Sequence, residues 1–252
     1  MLASDLALAL DPVLLARRAG IEPDPWQADV LRSMAPRRLL NCSRQSGKST
    51  VAAVRAVHAA LYEPGSLVLL LSPALRQSQE LFRKCLDVYR ALDHPELPEA
   101  ESALGLELTN GSRVVALPGK EGTIRGYSSV RRLIVDEASR VPDDLYRSVR
   151  PMLAVSGGAL DAMSTPFGKR GFFYEAWADG GPSWERVRIT ADQCPRITAE
   201  FLDEERRSMP AAWYRQEYEC SFEEAQDAVF RVDDIRAAFS DEVRPLFGGS
   251  AA

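Results

Sequence analysis

Eight residues, Cys42-Ser43-Arg44-Gln45-Ser46-Gly47-Lys48-Ser49, place a small-residue loop, a lysine and a hydroxyl in the order that grips a polyphosphate. In such a loop the backbone N–H groups converge on phosphate oxygens, the lysine reaches the β- and γ-phosphates, and the hydroxyl binds Mg²⁺. Gly47, Lys48 and Ser49 supply those parts. The apolar run Arg38-Leu39-Leu40-Asn41-Cys42 before the loop reads as a strand. Ser49 to Leu61 after it reads as a helix whose positive dipole end faces the loop. Cys42 stands where the usual pattern begins with glycine, which reduces backbone freedom there. The expected nucleotide-binding set is Ser43, Arg44, Gln45, Ser46, Gly47, Lys48, Ser49 and Thr50, with Ser43 and Ser46 as small polar fillers. Nothing about packing demands Arg44. It adds charge beside the phosphates or ties the loop to a neighbour.

A second constellation lies downstream. Leu133-Ile134-Val135-Asp136-Glu137 is an apolar strand ending in two carboxylates. Adjacent residues at a strand tip point different ways, so Asp136 can join Ser49 in the Mg²⁺ shell while Glu137 polarises an attacking water. A carboxylate in that second position favours hydrolysis over nucleotide sensing. Pro25-Trp26-Gln27 precedes the loop by about one helix. A glutamine amide can read the donor and acceptor of adenine, with Trp26 stacking or packing; a core tryptophan beside a surface glutamine is the plainer alternative. Ser164-Thr165-Pro166 follows another apolar strand, where hydroxyls can sense the γ-phosphate; an ordinary turn started by proline is the alternative. Arg125-Gly126 sits in the loop from Gly119 to Ser129 and could project a guanidinium into a neighbouring subunit, although a surface salt bridge is the simpler role. The basic pairs Arg37-Arg38, Arg131-Arg132 and Lys169-Arg170 read as solvated faces rather than DNA-phosphate contacts.

The elements that must hold these residues alternate. Arg38–Cys42, Ser66–Ser72, Arg113–Leu117, Arg132–Asp136 and Ala159–Ser164 have the character of buried strands. Pro25–Met34, Ser49–Leu61 and Leu75–Leu92 show helical spacing, which predicts an α/β fold with a mainly parallel central sheet. Asn110-Gly111 between two short alternating runs is a hairpin signal. From Thr190 the pattern turns polar and helical, over Thr198–Met209 and Ala211–Glu219.

The chain has 252 residues, 46% apolar and 27% charged, which suits a globular core without staples. Four scattered cysteines and two histidines give no zinc or disulfide framework and fit a reducing cytoplasm. The N-terminus carries Asp5 and Asp11 and no basic leader, and no apolar run is long enough to span a bilayer. A net charge of −5, from 31 basic and 36 acidic residues, makes any contact with nucleic acid either local or spread over a ring of weak contacts.

Together these residues resemble the ATPase domain of the large terminase subunit of tailed bacteriophages. The resemblance runs from Pro25-Trp26-Gln27 through residues 43–49, Leu71-Ser-Pro-Ala74, Ile124-Arg125-Gly126, Leu133 to Ala138 and Ser164-Thr-Pro-Phe-Gly168. It continues to Trp213-Tyr-Arg-Gln-Glu-Tyr218 and Val229-Phe230, nearly the whole chain. An R-Q-x-G-K-S loop without a leading glycine is characteristic of that family, so Cys42 becomes support. The resemblance implies a P-loop NTPase of the RecA-like, ASCE type that hydrolyses ATP with Mg²⁺ and drives double-stranded DNA into a procapsid. The implied partners are copies of itself in a ring (a pentamer on the portal), the portal protein and the small terminase subunit; no membrane is implied, and the setting is the infected host's cytoplasm. Carried over by motif, Lys48 and Ser49 grip phosphate and Mg²⁺, Asp136 binds Mg²⁺, Glu137 is the catalytic base and Gln27 binds adenine. Arg125 acts across the subunit interface, Arg44 is the loop arginine, and Ser164-Thr165 couple hydrolysis to movement.

The expected organisation is an ATPase core over 1–195, a helical lid or linker over 196–247 and a flexible tail at 248–252. Family members continue into a nuclease domain, for which no room remains after Phe230, so DNA cleavage is not expected of this chain. Two rivals share the motifs: the first lobe of a superfamily 2 helicase, and a non-catalytic nucleotide-dependent ring-assembly module. The helicase needs a second RecA-like lobe, and Glu137 argues against the assembly module.

Overall fold

A computed structural model describes residues 2–93, 96–117, 126–224 and 238. Arg125, Val229, Phe230 and the tail at 248–252 lie outside the described residues. The chain opens with three helices, α1 (Leu2–Leu10), α2 (Pro12–Arg18) and α3 (Pro25–Arg32). It continues through β1 (Arg37–Cys42), α4 (Lys48–Tyr62), β2 (Leu67–Leu71), α5 (Leu75–Arg90), β3 (Pro98–Glu101), β4 (Gly105–Leu108) and β5 (Arg113–Leu117). Then come β6 (Val130–Asp136), α6 (Asp143–Val149), β7 (Ala159–Ser164), α7 (Gly171–Asp179) and β8 (Glu185–Ile189), followed by α8 (Ala199–Ser208) and α9 (Ala211–Glu217).

Eight strands form one sheet in the order β3-β4-β5-β2-β6-β7-β1-β8. All pairings from β5 to β8 are parallel; β3-β4 and β4-β5 are antiparallel. The hairpin signal at Asn110-Gly111 is realised between β4 and β5: Gly111 has φ 81, its N–H donates to Leu108 O at 2.8 Å, and Asn110 Oδ1 accepts from Ser112 N at 2.9 Å. Every residue of β2 is buried, as expected of a parallel strand covered on both faces.

Side chains alternate across the sheet with the two-residue period of a strand. Leu40, Cys42, Val68, Leu70, Ile134 and Met163 face a core closed by α2 to α5. Leu39, Leu69, Leu71, Leu133, Val135, Leu160 and Ala162 face a second core closed by α6 and α7. Helix α4 is buried almost all round, through Val51, Ala52, Ala53, Val54, Ala56, Val57, Ala59 and Ala60. Its alanines let it lie close against the sheet, so the loop that starts it is fixed at both ends.

Two sequence expectations need correction. Arg38 is fully buried, not solvated, and Arg132 is largely buried, because β1, β6 and β7 each present one charge to the same interior point. Arg38, Arg55 and Arg132 all pair with Asp161, and Arg38 also pairs with Glu185 of β8 at 2.5 Å. Elements that periodicity did not announce are α1, α2, β3, α6, α7 and β8. Of these, β8 matters most, since it flanks β1 in parallel register from Arg38↔Glu185 to Cys42↔Ile189.

Candidate active site

The strand order explains the convergence. β7 lies between β1 and β6, with Asn41 level with Ser164 and Asp136 level with Met163. The C-terminal ends of these three strands therefore bring the phosphate loop, the hydroxyl pair and the acidic pair to one edge, where open α/β sheets bind ligands.

The loop is held from all sides. Ser43 N donates to Ile189 O at 2.9 Å, Ser46 Oγ to Ser43 O at 2.9 Å, and Gln27 Nε2 to Ser46 O at 3.4 Å. Gly47 has φ 94, a left-handed conformation in which a Cβ would also meet Gln27 Nε2 at 2.4 Å, so glycine is required. Gln45 adopts φ 57 without that freedom. Thr50 N donates to Gly47 O at 3.0 Å, starting α4. Lys48 Nζ lies 3.4 Å from Glu137 Oε1, and Ser49 Oγ donates to Asp136 Oδ2 at 3.4 Å. Lys48, Ser49, Asp136 and Glu137, read separately from two motifs, thus form one cluster.

Burial pushes Asp136 up to about 6; Lys48 opposes this and Glu137 adds to it. A buried carboxylate with an elevated proton affinity is an environment that a cation would relieve. Ser49 Oγ and Asp136 Oδ2 are hard oxygen donors of the kind Mg²⁺ accepts alongside waters and substrate phosphates, so the donor set fits that ion. The elevation carries a stability consequence. A folded-state value above the usual 3.8 means that Asp136 increasingly opposes folding as the pH rises from about 4 to about 6, with the full penalty above 6 and none below 4. Asp136→Asn is accordingly expected to raise the melting temperature at pH 8 by a few degrees, a gain of order ~1–3 kcal/mol that fades as the pH drops toward 4. Thermal melts of both proteins across that range check it; a pH-independent difference, or a loss of stability at pH 8, counts against it.

Glu137 stands in the left-handed region at φ 50, ψ 42, and its N–H donates to Asp136 Oδ1 at 2.9 Å. A non-glycine residue held there is strained, and strain of this kind gathers at functional sites. Beside it, Ser164 Oγ accepts from Ser139 N at 3.2 Å and lies 2.6 Å from Ser139 Oγ, which donates to Thr165 O at 2.7 Å. The hydroxyl pair of β7 is thereby tied to the acidic turn.

Three expectations take a different form. Gln27 is buried rather than exposed, and its amide is occupied by protein: Oε1 accepts from Asp24 N at 2.9 Å while Nε2 reaches Ser46. Trp26 packs against the core under α3, with a buried indole N–H that has no hydrogen-bond partner among the described residues. Arg44 turns its guanidinium to Glu217 of α9, Nε to Oε2 at 2.5 Å, and its N–H donates to Glu217 O at 3.2 Å. Of the two roles open to Arg44, the tie to a neighbour is the one this structure displays. Arg125 falls outside the described residues.

A family model described as "Terminase large subunit, T4likevirus-type, N-terminal" matches residues 39–237. The chain belongs to the terminase large subunit family. It is 27% identical over 247 residues to the large terminase subunit of Thermus phage G20c, covering 84% of this chain and 51% of that protein. This terminase chain thus spans about half the length of the relatives it matches. The fold is similar to the large terminase ATPase domain of Thermus phage P74-26, with a TM-score of 0.70 at 25% identity over 82% of this chain and 97% of that one. It is also similar to the large terminase of a thermophilic bacteriophage in complex with ADP, with a TM-score of 0.60 at 13% identity over 85% of this chain and 52% of that one.

Within this terminase fold the site includes residues that sequence reading passed over. Glu217 is buried against the loop from 173 residues away. Arg196 makes a two-pronged pair with Asp24, at 2.9 and 2.8 Å, and donates to Ser46 O at 3.1 Å. Asp24, just before Pro25, carries a helix-start signal that would have placed it at the loop. Nothing local marks Arg196.

Proposed function

We propose that this chain binds ATP with Mg²⁺ and hydrolyses it as the motor domain of a packaging terminase, driving double-stranded DNA into a procapsid. The observation that carries this is the convergence of Lys48, Ser49, Asp136 and Glu137 at the ends of β1 and β6. Lys48 leaves its carboxylate partner to neutralise the terminal phosphates. Ser49 and Asp136 would hold Mg²⁺, which when bound would supply charge neutralisation on the phosphate oxygens. Glu137 takes the proton of the attacking water, while the backbone N–H groups of residues 46–49 and the start of α4 hold the phosphates in line.

Arg44 approaches the γ-phosphate only by releasing Glu217, which makes the α8–α9 segment responsive to nucleotide. Those helices have a small core of their own around Ala191, Tyr214 and Tyr218, consistent with a lid that turns as a unit. Arg125 is proposed as the guanidinium offered to the next subunit's site, in a ring seated on the portal. The test is steady-state ATP turnover with and without linear double-stranded DNA, at protein concentrations spanning assembly. Turnover that rises with concentration and with DNA supports the motor; turnover indifferent to both leaves an ATPase without a translocation role.

A further inference from the structure

Among the described residues Glu137 forms ion pairs with two cations, while Arg44, paired with Glu217, acts on it from farther away. Lys48 is one, and the other is Arg140, whose Nη1 donates to Glu137 Oε2 at 3.2 Å. The two residues are the ends of one short turn, closed by Arg140 N donating to Glu137 O at 2.9 Å. The guanidinium also lies over the ring of Phe167, with Cζ 4.4 Å from the centroid, and Arg170 lies over the same ring at 4.8 Å. Phe167 follows Ser164-Thr165-Pro166, the end of β7 that Ser139 already ties to the acidic turn. Arg140 therefore meets the carboxylate through Nη1 while its guanidinium carbon lies over the aromatic ring. A planar guanidinium, with several N–H donors and a stacking face, suits both contacts better than an ammonium does.

We infer that Arg140 is a positioning residue: it holds the Glu137 carboxylate in its water-activating orientation and connects that carboxylate to the β7 turn through Phe167. This rests on the reading of Glu137 as the base. Lys48 cannot serve in this way, since a bound triphosphate draws its ammonium off the carboxylate. Arg140 then remains as the cation in contact with Glu137, braced by the ring. When the phosphate end of the site changes after hydrolysis, a shift of Glu137 is transmitted along Arg140 to Phe167. The link needs no contact between Arg140 and nucleotide, so its loss acts on the rate of the chemical step and not on ATP binding.

The experiment measures kcat and, separately, the ATP dissociation constant for wild type and for Glu137→Gln, Arg140→Gln, Arg140→Lys, Phe167→Leu and the Arg140→Gln/Phe167→Leu double variant. Arg140→Gln is expected to lower kcat about 10- to 100-fold with ATP affinity within about twofold, the effect of a slightly misplaced catalytic group. Arg140→Lys, which restores charge but not the planar stack, should recover only part of that loss. Phe167→Leu should lower kcat several-fold, and adding it to Arg140→Gln should change little, because coupled residues are not additive. Wild-type kcat in Arg140→Gln, alongside an inactive Glu137→Gln, overturns the inference and leaves the ATPase reading standing. A loss expressed only as weaker ATP binding also overturns it. Normal turnover in Glu137→Gln removes the base assignment itself, and the inference with it. Should Arg140→Gln fail to fold, Arg140→Lys and Phe167→Leu decide the matter; wild-type kcat in both rejects the link.

Discussion

Replacement of Glu137 by Gln is expected to reduce ATP turnover by at least about 100-fold, the lower end of what a positioned general base contributes. That corresponds to roughly 2.7 kcal/mol of lost transition-state stabilisation. Glutamine keeps the size and the hydrogen-bonding oxygen but cannot accept the proton, so the backbone turn at φ 50 and the contact to Arg140 persist in altered form. ATP affinity should stay within a few-fold of wild type, tending tighter, because Lys48 loses the carboxylate that lies 3.4 Å from its ammonium. Single-turnover hydrolysis and nucleotide titration separate the two quantities. A further arm addresses the ring. If Arg125 acts across subunits, Arg125→Ala and Glu137→Gln are each inactive alone, and mixing them restores some turnover, since one supplies the base and the other the arginine. Absence of restoration at concentrations where wild type is assembled removes the assignment to Arg125. Retention of turnover by Glu137→Gln removes the base.

How much of this site was legible in the residues depends on distance along the chain. The phosphate loop and the acidic strand tip are local patterns, and both stand where the pattern places them, because each is built from one strand and the turn that follows it. That the two meet, with Ser164 level with Asn41 between them, depends on strand order, which no local pattern encodes. Glu217 and Arg196 belong to the same category. Each reaches the loop from beyond β8; Glu217 lies in the Trp213–Tyr218 run that carries the resemblance but nothing in that run ties it to the loop, and Arg196 is marked only by membership in a polar stretch. Gln27 illustrates the opposite case. The motif was visible, but an amide beside a helix start has a competing use as a cap, and here the backbone of Asp24 and Ser46 takes both of its ends. Missed helices had readable starts: Asp11 before Pro12 caps α2, its Oδ1 accepting from Val13 N at 3.0 Å. β8 was obscured because Glu185-Arg186-Val187-Arg188-Ile189 alternates charge with apolar residues, the pattern of a sheet edge instead of an interior strand. The charged residue in the apolar run of β7 was the clearest unused signal. A carboxylate in a buried strand must be paired, and two arginines at the starts of neighbouring strands were available to pair with it.

That carboxylate, Asp161, is the basis of the second large effect: Asp161→Asn should destabilise the fold by about 3 kcal/mol or more, as when one member of a buried ion cluster is removed. Asparagine preserves volume, so the loss measures charge and not a cavity. Arg38 is fully buried and Arg55 nearly so, and with Asp161 neutral the three guanidiniums of Arg38, Arg55 and Arg132 keep, among the described residues, only Glu185 as a paired counter-charge. Burial already pushes Arg55 down to about 10, with Asp161 the main opposing influence, and Arg132 and Arg38 add to the downward push. The melting temperature should fall by roughly 10 °C at this chain size. The pH dependence has a definite sign. Burial alone would raise the proton affinity of Asp161, but Arg55, Arg132 and Arg38 outweigh it and hold the carboxyl below the usual 3.8. Its contribution is therefore present throughout the neutral range, and the gap between wild type and variant should stay constant from pH 8 to pH 5 and close only below about pH 4. Arg55→Met added to Asp161→Asn should cost about 1 kcal/mol or more less than the sum of the single changes, because it removes a cation that the first change stranded. Asp161 is the third residue of β7 and Ser164 the last, so the cluster lies about 10 Å from the hydroxyl end of the strand. ATP kinetics measured well below the lowered melting temperature should therefore be close to wild type. A variant that melts within about 2 °C of wild type would remove the structural role of Asp161, and one equally stable but slow in turnover would mean that it serves the chemistry and not the frame that α4 and the phosphate loop are built upon.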